Sequence, residues 1–129
     1  MTGLAACQTA PEPLPQDTAS SQLAPRNLDS GDCGLFVWRS DPSKPFIYFS
    51  SSTGAAFHDG RQEIALAPSP APLAPRQDFR SGGQLWTLDL RNPAPAADGT
   101  RFDAGTLSSM GPQGWRITVP VVGLRACIV

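Results

Sequence analysis

His58 and Asp59 are the one histidine–carboxylate neighbour pair in this sequence. An imidazole beside a carboxylate is material for general-base chemistry, since the carboxylate orients the ring and stabilises its charged form. Ser50 to Thr53, a run of hydroxyls just upstream, offers nucleophiles, but no base is specified for them and a polar loop is the better reading. His58 beside Asp59 would make a small hydrolase working through His58. A plainer reading competes with it. Asp59-Gly60 separates two strand-like runs, Ala55 to His58 and Gln62 to Leu66, and Asp-Gly favours a tight hairpin turn. None of the G-x-S-x-G, H-E-x-x-H or P-loop patterns occurs. The expectation is a protein that is not an enzyme.

The acidic residues stand singly. Asp98-Gly99 and Asp103-Ala104-Gly105 suggest a calcium loop, but their spacing is not that of an EF-hand. Cys7, Cys33 and Cys127 are the three cysteines. None forms a C-x-x-C pair, and one histidine gives little for zinc. No metal and no cofactor are expected. In an oxidising compartment Cys33 and Cys127 would pair; in a reducing one they would remain thiols. Pairing would close a loop of nearly the whole folded region, worth about 4–5 kcal/mol by chain entropy.

The elements that must carry these residues read as strands. The chain has 14 prolines and 12 glycines among short apolar runs, which disfavours a helical bundle. Leu35 to Trp38 and Phe46 to Phe49 form a first hairpin around Asp41 to Pro45. The pair around Asp59-Gly60 follows. Ala67 to Pro75 is a polyproline-like excursion. Gln84 to Leu90 alternates, with Trp86, Leu88 and Leu90 on the core face. Asn92 to Gly99 reads as loop. Thr106 to Met110 and Trp115 to Val119 flank Gly111-Pro112-Gln113-Gly114, with Trp115, Ile117 and Val119 sharing a face. Gly123 to Val129 closes the chain. The expected fold is all-β, a small antiparallel barrel or sandwich of about eight short strands. Residues 32–129 would be the β domain. Residues 8–31, rich in Pro, Ala, Ser and Gln, would be a disordered tether.

Leu4-Ala5-Ala6-Cys7 resembles the lipobox of bacterial lipoproteins, although only Met1-Thr2-Gly3 precede it where such a signal has basic and apolar regions. The resemblance implies that residues 1–7 are the remnant of a signal, that Cys7 carries lipid, and that the chain is held in the cell envelope. Gln8 follows Cys7, where the inner-membrane members commonly have Asp. The implied location is the outer membrane, facing the periplasm. A second likeness is to the membrane-bound inhibitors of c-type lysozyme, which are small lipoprotein barrels with an S-G-x-x-Y loop. Thr53-Gly54-Ala55-Ala56-Phe57 is similar to that loop, with Thr for Ser and Phe for Tyr.

The formal net charge of −1 gives no field that would attract nucleic acid. The membrane would be met through the lipid alone. Together these features lead to a non-catalytic envelope module whose partner is another envelope protein or a glycan. Thr53, Gly54, Phe57 and His58 form its expected partner-binding loop. A lysozyme inhibitor is the alternative.

Overall fold

The computed structural model describes residues 22–111 and 113–128. Leu4-Ala5-Ala6-Cys7, and the expected tether up to residue 21, lie outside the described residues. The remainder forms eight strands: β1 (Cys33–Arg39), β2 (Phe46–Ser51), β3 (Gly54–His58), β4 (Glu63–Leu66), β5 (Arg76–Ser81), β6 (Gln84–Ala96), β7 (Gly99–Met110) and β8 (Arg116–Cys127). Among the described residues there is no helix, and so none long and apolar enough to cross a membrane. The strands lie in one antiparallel sheet in the order β4-β3-β2-β1-β8-β7-β6-β5. Two meanders of neighbouring strands are thus joined through the pairing of β1 with β8. The sheet curls into a nearly closed barrel, and β4 and β5 are its two edges.

Local chemistry explains most of the hairpins. Gly82 and Gly83 both hold positive φ, 63° and 76°, between β5 and β6. A two-residue turn of that hand matches the twist of the strands, and only glycine adopts it freely at both positions. Between β3 and β4, the Asp59 carboxylate accepts the N–H groups of Arg61 and Gln62 at 2.8 and 3.0 Å. This is the side-chain turn expected of Asp-Gly.

Three elements differ from the sequence expectation. β5 reads as polar, because of its six residues only Gln77, Phe79 and Ser81 turn towards the interior. β6 runs on through Pro93 and Pro95, which were expected in a loop. Its pairing with β5 stops at Asp89, so both prolines sit where β6 has a neighbour on one side only. Proline is tolerated on such an edge because no ladder bond is lost there. Likewise, Arg116 to Cys127 is one strand rather than two. Pro120 lies one residue beyond the end of the β1 ladder at Val121, and its carbonyl still accepts the Ser40 N–H at 3.0 Å.

The interior is filled by Leu35, Val37, Ile47, Tyr48, Phe57, Leu88, Leu90, Phe102, Leu107 and Val121. Ile47 and Tyr48 are sequence neighbours, yet both reach this cluster. The register of β1 and β2 slips there, with Val37 opposite Tyr48 and Trp38 opposite Phe46. A bulge of this kind lets consecutive side chains share a face.

The end of the barrel near Cys33 and Cys127 is plugged by the proline-rich segment. Gln77 Nε2 donates to the carbonyls of Pro72 and Ala74 at 2.7 and 2.9 Å, and Arg125 donates to that of Leu73 at 3.2 Å. The Tyr48 hydroxyl donates to Gln77 Oε1 at 2.7 Å and fixes the amide that holds the plug.

The boundary expected at residue 32 moves towards the N-terminus. Leu23 is 2% exposed and joins Phe46 and Ala56 in a second cluster on the outer face of the sheet. Phe36, Trp38 and Phe49 pack against the same cluster. Residues 22–31 therefore form a strap on the barrel rather than a free tether.

Cys33 stands directly opposite Cys127 in the β1–β8 register, and a disulfide joins them across 94 residues. Reduction, or Cys33→Ala, is expected to lower unfolding stability by about 4–5 kcal/mol. A urea titration with and without reductant measures this; coincident midpoints would refute it. Burial pushes the Tyr48 phenol above the ordinary tyrosine value of 10.0. Its folded value is the higher one, so its contribution is complete below that ordinary value and is lost as the pH rises above it. Tyr48→Phe is expected to remove part of the alkaline destabilisation. Melting curves across that range compare the two proteins.

Candidate functional site

The structure separates the parts of the hydrolase reading. His58 ends β3 at the mouth of the barrel and is only 3% exposed. Its Nδ1 accepts the Gly60 N–H at 3.0 Å, so a neutral ring carries its proton on Nε2. The neighbouring Asp59 carboxylate is occupied by its turn. Burial works against its charge, but the N–H groups of Arg61 and Gln62 outweigh it and hold the carboxyl below the ordinary range. Ser50 is wholly buried and pairs with Ala55 at the other end of β3. Among the described residues, no hydroxyl lines the mouth cavity of about 90 Å³ around His58, which is walled by Arg39, Phe57, Trp86 and Val119 among others.

The four residues expected to form a binding loop do not share a surface. Thr53 lies in the β2–β3 turn, where its hydroxyl is 3.1 Å from that of Ser51, and Gly54 opens β3. Phe57 is an interior side chain, 5.0 Å from the Phe79 ring and 5.1 Å from Trp86. His58 is at the opposite end of the strand. Thr53-Gly54-Ala55-Ala56-Phe57 is therefore a turn running into a strand, and no loop presents its side chains together. Among the described residues, no group of three or more His, Cys, Asp or Glu is placed to hold a metal ion.

A better-formed recess lies on the outer face, over β1, β8 and β7. Trp38 stands opposite Val122, Phe36 opposite Leu124, and Leu124 opposite Arg101, so their side chains share that face. Trp38, Val122 and Leu124 make an apolar floor, while Lys44, Arg101 and Asp103 make a charged rim. The recess encloses about 470 Å³, within the usual range of small-ligand sites. Arg101 is paired with Asp103 at 2.7 Å, which fixes one side of the rim. The Trp38 ring is braced by Phe36 at 6.2 Å and Phe46 at 5.6 Å between centroids.

The strap borders this recess. Gln22, Leu23, Pro25 and Arg26 line a second hollow that also touches Trp38. The Leu23 N–H donates to the Phe46 carbonyl at 2.7 Å, and the Phe46 N–H donates to Gln22 Oε1 at 3.0 Å. Arg26 pairs with Glu63 at 2.6 Å, and the Ala24 N–H reaches the other carboxylate oxygen at 3.3 Å. The sequence places Trp38 at the end of a strand and does not by itself reveal the recess. One signal was available: Phe36 and Trp38 alternate with Leu35 and Val37, so β1 has apolar residues on both faces and its outer face needs a cover.

Comparison with protein-family models, curated proteins and solved structures found no match to this chain.

The Arg26 hydrogen bond holds the Glu63 carboxyl below the ordinary glutamate range. The contribution of this contact is present above that range and is lost as the pH falls through the lowered value. Glu63 is well exposed, so the effect is small. Glu63→Gln is expected to speed hydrogen exchange at the Leu23 amide about two- to fivefold at neutral pH. Unchanged exchange would show that Glu63 does not hold the strap.

Proposed function

We propose that this chain is an exported, non-catalytic binding module of the bacterial cell envelope. Lipid on Cys7 anchors it in the outer membrane, facing the periplasm, and its partner is an envelope protein or a glycan. The recess at Trp38 is the observation that carries the binding role. An indole floor suits a sugar ring or an apolar side chain, and cations beside a carboxylate on the rim suit a polar partner. The Cys33–Cys127 disulfide supports export, because such bonds persist in oxidising compartments. The lipobox-like Leu4-Ala5-Ala6-Cys7 supports the anchor.

The test is capture from detergent-solubilised envelope on beads carrying the chain, alongside direct titration with envelope glycans. A reproducible partner retained by the native chain and lost from Lys44→Glu/Arg101→Glu is expected. Those rim residues are exposed, so the fold should survive the change. A partner held equally by both proteins would move binding away from the recess, and no partner at all would sink the reading. Mass spectrometry of envelope-extracted protein tests the anchor separately: an unmodified Cys7 thiol removes it.

A further inference from the structure

Three large apolar side chains stand exposed together at the tip of the sheet. Leu85 is 44% exposed, Met110 52% and Trp115 47%. Leu85 pairs with Met110 across β6 and β7. The same row continues to Arg80 on β5 and to Arg116 on β8. Paired residues share a face, so Arg80, Leu85, Met110 and Arg116 form one outward row about 14 Å long. Trp115 is paired with Gly111, whose N–H donates to the Trp115 carbonyl at 2.8 Å, and its ring lies 2.5 Å from where a Gly111 Cβ would be. The indole is thus seated at the same tip on the face opposite Met110, the face it shares with Ile117.

The row one step down the same face is polar: Asp78, Thr87, Ser108 and Thr118. At this end of the face the apolar side chains therefore stand in the last row of the hairpins, with an arginine at each flank. β7 and β8 also outrun β1, whose ladder with β8 ends at Arg39 opposite Val121. The tip therefore projects past the barrel mouth.

We infer that this tip docks in the headgroup region of an anionic phospholipid surface. Tryptophan favours that zone, Leu85 and Met110 can enter the acyl boundary, and arginine stems lie in apolar surroundings while their guanidinium groups reach phosphate. Charge argues against a second copy of the chain as occupant. The tip row holds two cations and no acid, so two such tips would meet with like charges, and the nearest carboxylate on that face is Asp78 in the polar row. Leu124, in the Trp38 recess, is about 26 Å along β8 from the tip, so lipid at the tip leaves the recess open. The inference does not rest on the Cys7 anchor or on the recess.

The full chain carrying Cys7→Ser, which cannot be acylated there, is sedimented with phosphatidylglycerol–phosphatidylethanolamine vesicles and with pure phosphatidylcholine vesicles. Binding to the anionic vesicles is expected, with a blue shift of tryptophan emission that Trp115→Ser abolishes. Arg80→Glu/Arg116→Glu should weaken partitioning about tenfold or more. Met110→Ser should weaken it about threefold or more. Circular dichroism verifies that each variant is folded, and the arginine pair leaves the Trp115–Gly111 contact untouched. No sedimentation at millimolar lipid overturns the inference, as does binding that these variants leave unchanged. Self-association lost in the same variants, without vesicle binding, would give the tip to a second copy and overturn it as well.

Discussion

The barrel depends on how it closes between β4 and β5, where no ladder of backbone hydrogen bonds joins the edges. Side chains take over that work. Tyr48 and Phe57, from β2 and β3, meet Phe79 and Trp86, from β5 and β6. Phe79 stacks on Tyr48 at 4.9 Å and lies 5.0 Å from Phe57, which is 5.1 Å from Trp86. Offset and tilted rings at these separations gain from both burial and ring electrostatics. The hydrogen bond from Tyr48 to Gln77 spans the same gap, and Gln77 in turn holds the proline-rich plug. A segment that cannot serve as a central strand thus covers the place where the sheet lacks one. Its Pro72, Leu73 and Ala74 carbonyls are satisfied by side chains, and those of Ala71 and Pro75 by the N–H groups of Ala74 and Leu90.

This closure leaves β1 apolar on both faces. Its inner face, Leu35 and Val37, belongs to the core, while its outer face, Phe36 and Trp38, needs partners of its own. Residues 22–28 cover only part of that outer surface, and the recess at Trp38 is what remains uncovered. The strap and the recess are consequences of one fact, that a central strand of this small barrel carries more apolar surface than its interior can absorb.

The all-β architecture was legible because turn chemistry and strand composition agree from Cys33 to His58. The alternating stretch from Trp86 to Leu90 placed its core face correctly, with Leu88 and Leu90 buried. The Cys33–Cys127 pairing was legible, for an oxidising compartment, from the position of the two residues at the limits of the strand-rich region. β5 was not, because a strand whose inward face is Gln77, Phe79 and Ser81 has no apolar alternation to detect. Pro93 and Pro95 misled for a related reason: proline excludes a residue from a two-sided ladder only, and one-sidedness is a property of the assembled sheet. Trp115 does share a face with Ile117 and Val119, but β8 begins one residue later and the indole stands exposed over Gly111 at the tip. The recess arises from the β1–β8 register and the strap from contacts with β2 and β4, both between segments far apart in sequence, which no local pattern encodes.

The disulfide also determines how the molecule bears mechanical load. A pull on the chain ahead of Gln22 acts first on the strap, whose hold consists of a few hydrogen bonds, one exposed ion pair and the side chain of Leu23. The strap can peel away one contact at a time at low force. The load then arrives at Cys33, where β1 would otherwise begin to unzip from β8. There the covalent bond to Cys127 ties the two strands together, so that β1 cannot begin to unzip from β8 at that end. Tugging from the N-terminal side therefore stretches a compliant leash and stops at a rigid bead.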